Sequence, residues 1–184
     1  PIASSQEEII KISKEAVISN KQHKDLALFQ KYKDKETLQM VLSFYAINNN
    51  FQYKVKKSCK NEYYLVCVDK NCEWKLRASR SGNTNHFIIR TFVNSHTCSL
   101  EIRFKNQRQA TTSVIADVIK HKFANIKTKY NVADIIRDMK HDHNVQIKYN
   151  KAWRSKEKAK EIMQGSATQS FADLYSYLYM LYTT

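Results

Sequence analysis

The apolar positions of the chain follow two spacings, and the change from one to the other divides the chain into parts. Over residues 1–33 neither spacing is sustained, because Ser, Asn and Lys interrupt the few apolar positions, and we expect a loosely ordered leader. After Asp34, which is suited to cap a helix, apolar side chains recur three and four positions apart, and this predicts an amphipathic helix. These apolar positions are Leu38, Val41, Leu42 and Tyr45.

From residue 51 to residue 98 the apolar spacing changes to two, which is the period of a β-strand. Short polar turns divide this stretch into four segments, most simply an antiparallel meander. The predicted strands are 51–55, 62–68, 74–78 and 86–92. Together with the preceding helix they form a predicted domain over residues 34–100. A sheet this small buries a thin core, so we expect a cross-link or a metal ion to stabilise it.

After residue 109 the helical spacing returns and predicts an all-α region over residues 109–184. One helix can be capped within 111–113 and a second by Asn131, and a third begins near Asn150. A fourth helix has the cleanest apolar stripe, which we expect to pack against the other helices or a following domain. The predicted fold is therefore α+β, a helix and a four-stranded antiparallel sheet followed by a helical region.

The composition excludes several classes of protein. The chain of 184 residues has two glycines and one proline, which rules out the glycine-rich loops that bind dinucleotides or nucleotide phosphates. It equally rules out the glycine-flanked serine of α/β-hydrolases. No run of 18 apolar residues occurs, so we expect no membrane span.

The charge balance points to a polyanionic partner. Lys and Arg number 31 against 17 Asp and Glu, a formal net charge of +14 and a pI near 9.6. A lysine-rich surface that only increases solubility is the alternative. We favour nucleic acid, because a small protein with this excess attracts polyanions strongly.

One set of cysteine and histidine residues has the spacing of a metal site. Antiparallel pairing brings the end of the second predicted strand, the start of the third and the end of the fourth to one edge of the sheet. The potential ligands there are Cys67, Cys72, His96 and Cys98. A Cys3His set is typical of tetrahedral structural zinc. Disulfides or simple buried thiols are the alternatives, and disulfides are less expected because no secretory leader is recognisable. We favour zinc because the C-x4-C and H-x-C pairs lie at strand ends. Cys59 lies in the preceding turn and is either a spare thiol or a poorer fifth candidate ligand.

Basic residues concentrate on the first predicted strand. Alternation places Lys54 and Lys56 on one face, with Lys57 at the strand's exit and Tyr53 as an aromatic neighbour. A strand of this kind can enter the major groove of DNA, although a solvated edge strand has the same pattern. Further candidates for DNA contact on the sheet are Lys75 and Arg77.

A second basic cluster lies on the third C-terminal helix. Lys151, Arg154 and Lys158 recur along it, and Trp153 is expected to anchor the helix in the core while Arg154 and Lys158 face outward. Two capped helices followed by a basic helix are compatible with a helix-turn-helix arrangement, and also with an ordinary surface helix.

Several motifs resemble the N-terminal zinc-finger region of plant Mutator-like (MuDR-type) transposases. In this sequence they read FQYKVKKS at 51–58, YLVCVDKNCEWKLRAS at 64–79 and HTC at 96–98. The downstream motifs RQAT at 108–111, IIRD at 135–138 and KAWR at 151–154 resemble the stretch that follows the finger in this family. The resemblance covers about residues 35–184.

The resemblance implies a fold related to the WRKY and glial-cells-missing DNA-binding domains, in which a zinc-stabilised sheet inserts a strand into the major groove. Tyr53, Lys54, Lys56 and Lys57 would then occupy the reading strand. The zinc ligands would be Cys67, Cys72, His96 and Cys98. Because no WRKYGQK heptad is present, the base preference of WRKY domains does not carry over.

The function implied by the resemblance is sequence-specific binding of double-stranded DNA at transposon terminal inverted repeats, in the nucleus. The DNA-cutting domain of such transposases would lie beyond Thr184, so we expect these residues not to be an enzyme. Further partners expected are that core domain or a second copy of the chain. A transcription factor derived from a transposase is one alternative. Another is a protein-interaction module that uses the tyrosines of the last helix, Tyr175, Tyr177, Tyr179 and Tyr182.

Overall fold

The computed structural model of the chain describes residues 16–99, 101–102, 107–125, 129–165, 171, 174–175 and 178–182. The chain forms two compact units, Pro1–Gln109 and Ala110–Thr184. Among the described residues, no helix combines the length and the apolar character needed to cross a lipid bilayer.

The N-terminal unit is a mixed α+β structure, as the sequence predicts. Its elements are β1 (Val17–Ile18), β2 (Lys31–Tyr32), α1 (Lys35–Asn48), β3 (Tyr53–Ser58), β4 (Glu62–Cys67), β5 (Lys75–Arg80) and β6 (Phe87–Val93). The six strands form one sheet in the order β1-β2-β6-β5-β4-β3. The four predicted strands are β3 to β6, and they form the expected antiparallel meander.

Two short strands extend the sheet beyond the four that the sequence predicts. They belong to the segment expected to be a loosely ordered leader, whose residues 1–15 lie outside the described part of the chain. β2 pairs antiparallel with β6, and β1 pairs parallel with β2. The backbone of Ile89 accepts a hydrogen bond from Phe29 and donates one to Gln30. A strand of two residues is too short to show a period, so these pairings leave no signal in the apolar pattern.

Helix α1 covers one face of the sheet. Asp34 caps it, since its carboxylate accepts a hydrogen bond of 2.7 Å from the backbone N–H of Thr37. The predicted stripe of α1 is buried in a core with residues from all four long strands. Fully buried side chains of this core include Leu38, Val41, Leu42, Leu65, Leu76 and Ile89. The opposite face of the sheet carries the alternate residues and remains open.

The pairing of β3 with β4 contains an irregularity that changes which lysines share a face. Val55 pairs with Leu65 but Lys57 pairs with Tyr64, so Lys56 is an extra residue in a β-bulge. Strict alternation would place Lys57 on the face opposite Lys54. The bulge instead brings Lys57 to the open face beside Tyr64.

The C-terminal unit is helical over its described residues, as predicted. Its elements are α2 (Thr112–Ile119), a 3-10 turn (Lys120–Phe123), α3 (Val132–His143) and α4 (Tyr149–Gln164). Thr111 caps α2, and Asn131 caps α3 in a reciprocal capping box with Asp134. Helix α4 packs against α2, the turn and α3.

Trp153 does not anchor α4 in the core, which corrects the prediction. Its side chain is 50% exposed, and the buried face of α4 consists of Ala152, Ser155 and Ala159. These small side chains let α4 approach its neighbours closely, and a tryptophan on that face would hold the helices apart. Arg154 and Lys158 face outward as expected.

Candidate metal centre and nucleic-acid interface

The four predicted metal ligands meet at one edge of the sheet. Cys67 ends β4, Cys72 lies in the turn before β5, and the other two ligands follow β6. Their ligand atoms all lie within 4.8 Å of one another in a cluster of Cys67, Cys72, His96 and Cys98. The antiparallel meander therefore does what the sequence predicts, and brings three strand ends together.

Three distances within the cluster match those of a tetrahedral metal site. Metal–sulfur bonds of about 2.3 Å and metal–nitrogen bonds of about 2.0 Å place two sulfurs about 3.8 Å apart, and a sulfur and a nitrogen about 3.5 Å apart. The Sγ atoms of Cys67 and Cys98 are 3.7 Å apart. His96 Nδ1 lies 3.4 Å from Cys72 Sγ and 3.7 Å from Cys98 Sγ. The cluster can hold a metal ion, with Nδ1 as the histidine ligand.

The disulfide alternative fails on the same distances. All four cysteines are free thiols. The Cys67–Cys98 separation of 3.7 Å is far longer than the roughly 2.05 Å of a disulfide bond. Cys59 is exposed and takes no part in the cluster.

The thiols of Cys67 and Cys72 have different acidities. Burial raises the pKa of Cys67 to about 12. Burial also raises that of Cys72, but backbone hydrogen bonds from Trp74, Thr97 and Cys98 outweigh this effect and bring its pKa to about 7. Cys72 is therefore readily available as a thiolate, whereas Cys67 keeps its proton unless a cation replaces it.

A stack of aromatic rings holds the histidine ligand. The His96 ring lies parallel to Trp74 at 5.5 Å and packs against Phe51 at 4.5 Å. Tyr53 continues the stack, with its ring 6.1 Å from Trp74. This arrangement has no local signature in the sequence, because its rings come from β3, the turn before β5 and the segment after β6.

Tyr53 is buried, whereas the lysines predicted to contact DNA with it lie on the opposite, open face or at its edge. It is 7% exposed, because its register position opposite Cys67 places it on the buried face. Its hydroxyl lies 3.2 Å from Ser43 Oγ, and its backbone carbonyl accepts a hydrogen bond from Gln109. Tyr53 stacks on Trp74, which in turn stacks on the histidine ligand of the metal cluster.

The open face of the sheet is basic. The predicted residues Lys54, Lys56, Lys57, Lys75 and Arg77 all lie on it or at its edge, in a half-buried to exposed setting. The Lys56 ammonium sits 5.2 Å from the centre of the Tyr64 ring. Arg90 joins them from β6, since its Nε donates to Ser79 Oγ at 3.1 Å. The alternation of β6 would have identified Arg90 as a candidate.

A cavity of about 480 Å³ opens on this face beside the metal cluster. Four lysines line it: Lys54, Lys56, Lys70 and Lys75. Lys70 comes from the turn between Cys67 and Cys72 and is absent from the predicted contacts. Asp69 and Glu73 line the same cavity, whose floor includes Tyr64 and Val66. The lysine side chains thus surround a concave, partly apolar surface.

The predicted basic residues of α4 lie in the C-terminal unit. Arg154 and Lys158 are exposed and Lys151 is half-buried. The Lys158 ammonium donates a hydrogen bond of 2.7 Å to Ser113 Oγ near the N-terminus of α2. In the predicted last helix, Tyr175, Tyr179 and Tyr182 are helical and exposed, whereas Tyr177 lies outside the described residues.

Comparison with known proteins identifies the class of domain. Residues 25–89 match the DNA-binding domain of a family described as MuDR family transposase. This confirms the resemblance over α1, β2 to β5 and the start of β6, and it supports DNA binding by a non-catalytic domain. The match includes Cys67 and Cys72, whereas His96 and Cys98 lie beyond its end.

Two further comparisons add little. The chain resembles a crystal structure of AFT2 in complex with DNA at 10% sequence identity and a TM-score of 0.32, with 74% of this chain and 89% of that chain covered. A TM-score this low does not establish a shared fold. No curated protein matches the chain.

Proposed function

We propose that the chain binds double-stranded DNA through the open face of its sheet, as the DNA-binding region of a MuDR-type transposase that recognises terminal inverted repeats in the nucleus. The observation that carries this proposal is the match of residues 25–89 to that family's DNA-binding domain. The one-sided charge of the sheet supports it, because the buried face is apolar and the open face carries lysines and arginines. A transposase core domain would be the natural recipient of DNA bound in this way.

We infer that the metal held by the cluster is zinc in a structural role. Three thiolates and one imidazole are soft or borderline ligands that suit Zn²⁺. All four tetrahedral positions are supplied by protein, so no position is left for a reactive water. When bound, zinc would cross-link three strand ends. The turn that carries Lys70 would then be fixed beside the open face.

The proposal is tested by measuring duplex binding as a function of salt, with fluorescence anisotropy and a random-sequence DNA duplex alongside one carrying the terminal repeat. We expect the logarithm of the association constant to fall linearly with the logarithm of the salt concentration, with a slope of about −0.9 for each phosphate contact. The variant Lys54→Ala/Lys75→Ala should lose about two units of slope and bind both duplexes more weakly.

The matched control removes the same charge elsewhere. Lys24→Ala/Lys33→Ala replaces two lysines that lie outside the open face, both of them exposed. Its slope should stay close to that of the unmodified protein. Equal loss of slope in both double variants would show that charge alone, and not this face, carries the binding. No duplex binding by the unmodified protein at low salt would contradict the proposal altogether.

A further inference from the structure

Glu62 occupies a singular place on the proposed DNA interface. It is the one acidic residue within strands β3 to β6, all of which the structure describes. Its two carboxylate oxygens lie 2.5 Å from Lys57 Nζ and 2.5 Å from Arg77 Nε. A single carboxylate thus holds two of the basic residues that the sequence assigns to DNA contact.

The local backbone creates this arrangement. The bulge at Lys56 turns Lys57 onto the open face. Arg77 lies on β5, where it pairs with Tyr64 of the neighbouring strand β4. The Glu62 side chain is 13% exposed, whereas Lys57 and Arg77 remain more than half exposed. The hydrogen bonds from these two cations also lower the pKa of Glu62, so it stays ionised at neutral pH.

The lysines around the cavity are in the opposite situation. Lys54, Lys70 and Lys75 make no ion pair with any residue that the structure describes. Lys56 contacts the face of Tyr64 and forms no ion pair within the described part of the chain. The open face therefore has two regions. In one, Glu62 forms ion pairs with the cations, and in the other, the cavity, Asp69 and Glu73 are part of the lining but form no ion pair with its lysines among the described residues.

We propose that Glu62 is a specificity-determining residue that withdraws Lys57 and Arg77 from phosphate contact and confines backbone contacts to the lysines of the cavity. This inference rests on the proposed function. A phosphate approaching Lys57 or Arg77 must displace a carboxylate and remain beside it, which costs electrostatic energy. Because non-specific affinity depends on the number of phosphates contacted, Glu62 limits binding to arbitrary sequences.

The test compares Glu62→Gln with Glu36→Gln on a random-sequence duplex between 50 and 200 mM salt. Glu36 is a matched control because it also pairs with a lysine, Lys21, at 2.7 Å, but lies on α1 away from strands β3 to β6. For E62Q we expect the plot of log affinity against log salt to be steeper by about one to two units. Each added phosphate contact then makes the affinity fall roughly threefold more between the lowest and the highest salt concentration. E36Q should leave the slope unchanged.

A second substitution tests the assigned partners. Lys57→Ala should hardly change duplex binding in the unmodified protein, since its ammonium is already held by Glu62. In the E62Q background the same substitution should remove about half of the gained slope. Thermal melting of each variant, with the metal bound, checks that the fold is retained.

The outcomes separate the inference from the function on which it rests. If the unmodified protein binds duplex but E62Q behaves like E36Q, the inference is overturned and the proposed function stands. If E62Q binds more weakly, Glu62 instead aims the two cations at phosphate, which also overturns the inference. If the unmodified protein fails to bind duplex at low salt, both are overturned.

Discussion

The side chains of the metal cluster are restricted by the residues packed around them. The His96 ring packs against both Phe51 and Trp74, and Cys67 and Cys98 are both buried. A ligand set whose side chains are already oriented loses less conformational entropy on binding than one on flexible loops. The cluster should therefore bind zinc tightly for a domain of this size.

Replacing Cys72 by serine should remove most of the bound zinc. Its thiol has a pKa of about 7, well below the value of about 12 for Cys67, and so supplies a thiolate ligand at neutral pH. A serine hydroxyl is a much poorer ligand because it stays protonated. We expect zinc affinity to fall by more than the roughly 10–100-fold that follows loss of a mere outer hydrogen-bond partner. Elemental analysis of the purified protein and a competition titration with a chromogenic chelator measure the effect.

The control for this substitution is Cys59→Ser. Cys59 is an exposed free thiol outside the cluster, so this variant should keep one zinc ion per chain. Equal zinc content in the Cys72→Ser and Cys59→Ser proteins would refute the assignment of the cluster as the metal site.

Among the helices and strands, the cap of α1 fixes where the chain turns from β2 into the helix. Asp34 accepts the Thr37 N–H at 2.7 Å, and Glu36 places a second acid in the first turn. Burial raises the pKa of Asp34, but the hydrogen bonds from Thr37 and the nearby lysines outweigh this and leave it lowered. The ionised form of Asp34 therefore stabilises the folded state.

Asp34→Ala should lower the free energy of unfolding by about 1 kcal/mol at pH 7, whereas Asp34→Asn, which keeps a capping oxygen, should cost less. Because the pKa of Asp34 is lowered on folding, its ionic contribution is complete above its unfolded-state value near 4 and is lost as the pH falls below that. The gap between Asp34→Asn and the unmodified protein should therefore close in acid. Urea unfolding at several pH values measures it, and an unchanged gap at acid pH would argue against an ionic contribution.

Much of this architecture follows from local signals. The caps Asp34 and Asn131 and the period of two through β4 and β5 depend on neighbouring residues, which a sequence displays directly. The cysteine and histidine cluster could be predicted because antiparallel strands bring known ends together. The lysines that share a face of β3 could not be predicted from alternation alone, since the bulge at Lys56 decides which of them do.

Other features depend on partners that are distant in sequence. Tyr53 has the alternation of a surface strand, and only its place opposite Cys67 and beside Trp74 shows that it is buried. Trp153 is apolar enough for a core, yet close helix packing favours Ala152 and Ala159 on the buried face. The ion pairs of Glu62 likewise join three strands and have no local signature.

At the scale of the whole molecule, the two units differ in what stabilises them. The N-terminal unit contains all four metal ligands, and its core lies under helix α1. The C-terminal unit contains none of these ligands, and its helices bury residues of their own, such as Ile115, Ile135 and Met139. Metal binding free energy should therefore contribute to the folding of the first unit and not to that of the second.

Removing the metal should accordingly unfold the two units unequally. The tryptophans report on this, because Trp74 is buried beside the cluster whereas Trp153 is exposed on α4. In a Trp153→Phe protein, which leaves Trp74 as the single tryptophan, a strong chelator should shift the emission to longer wavelength as Trp74 meets water. Hydrogen exchange measured alongside should show lost protection in β4 to β6 and retained protection in α2 to α4. Simultaneous loss in both sets of amides would mean that the metal stabilises the chain as one cooperative unit. Unchanged Trp74 emission after complete metal removal would mean that the aromatic stack and the core under α1 suffice without it.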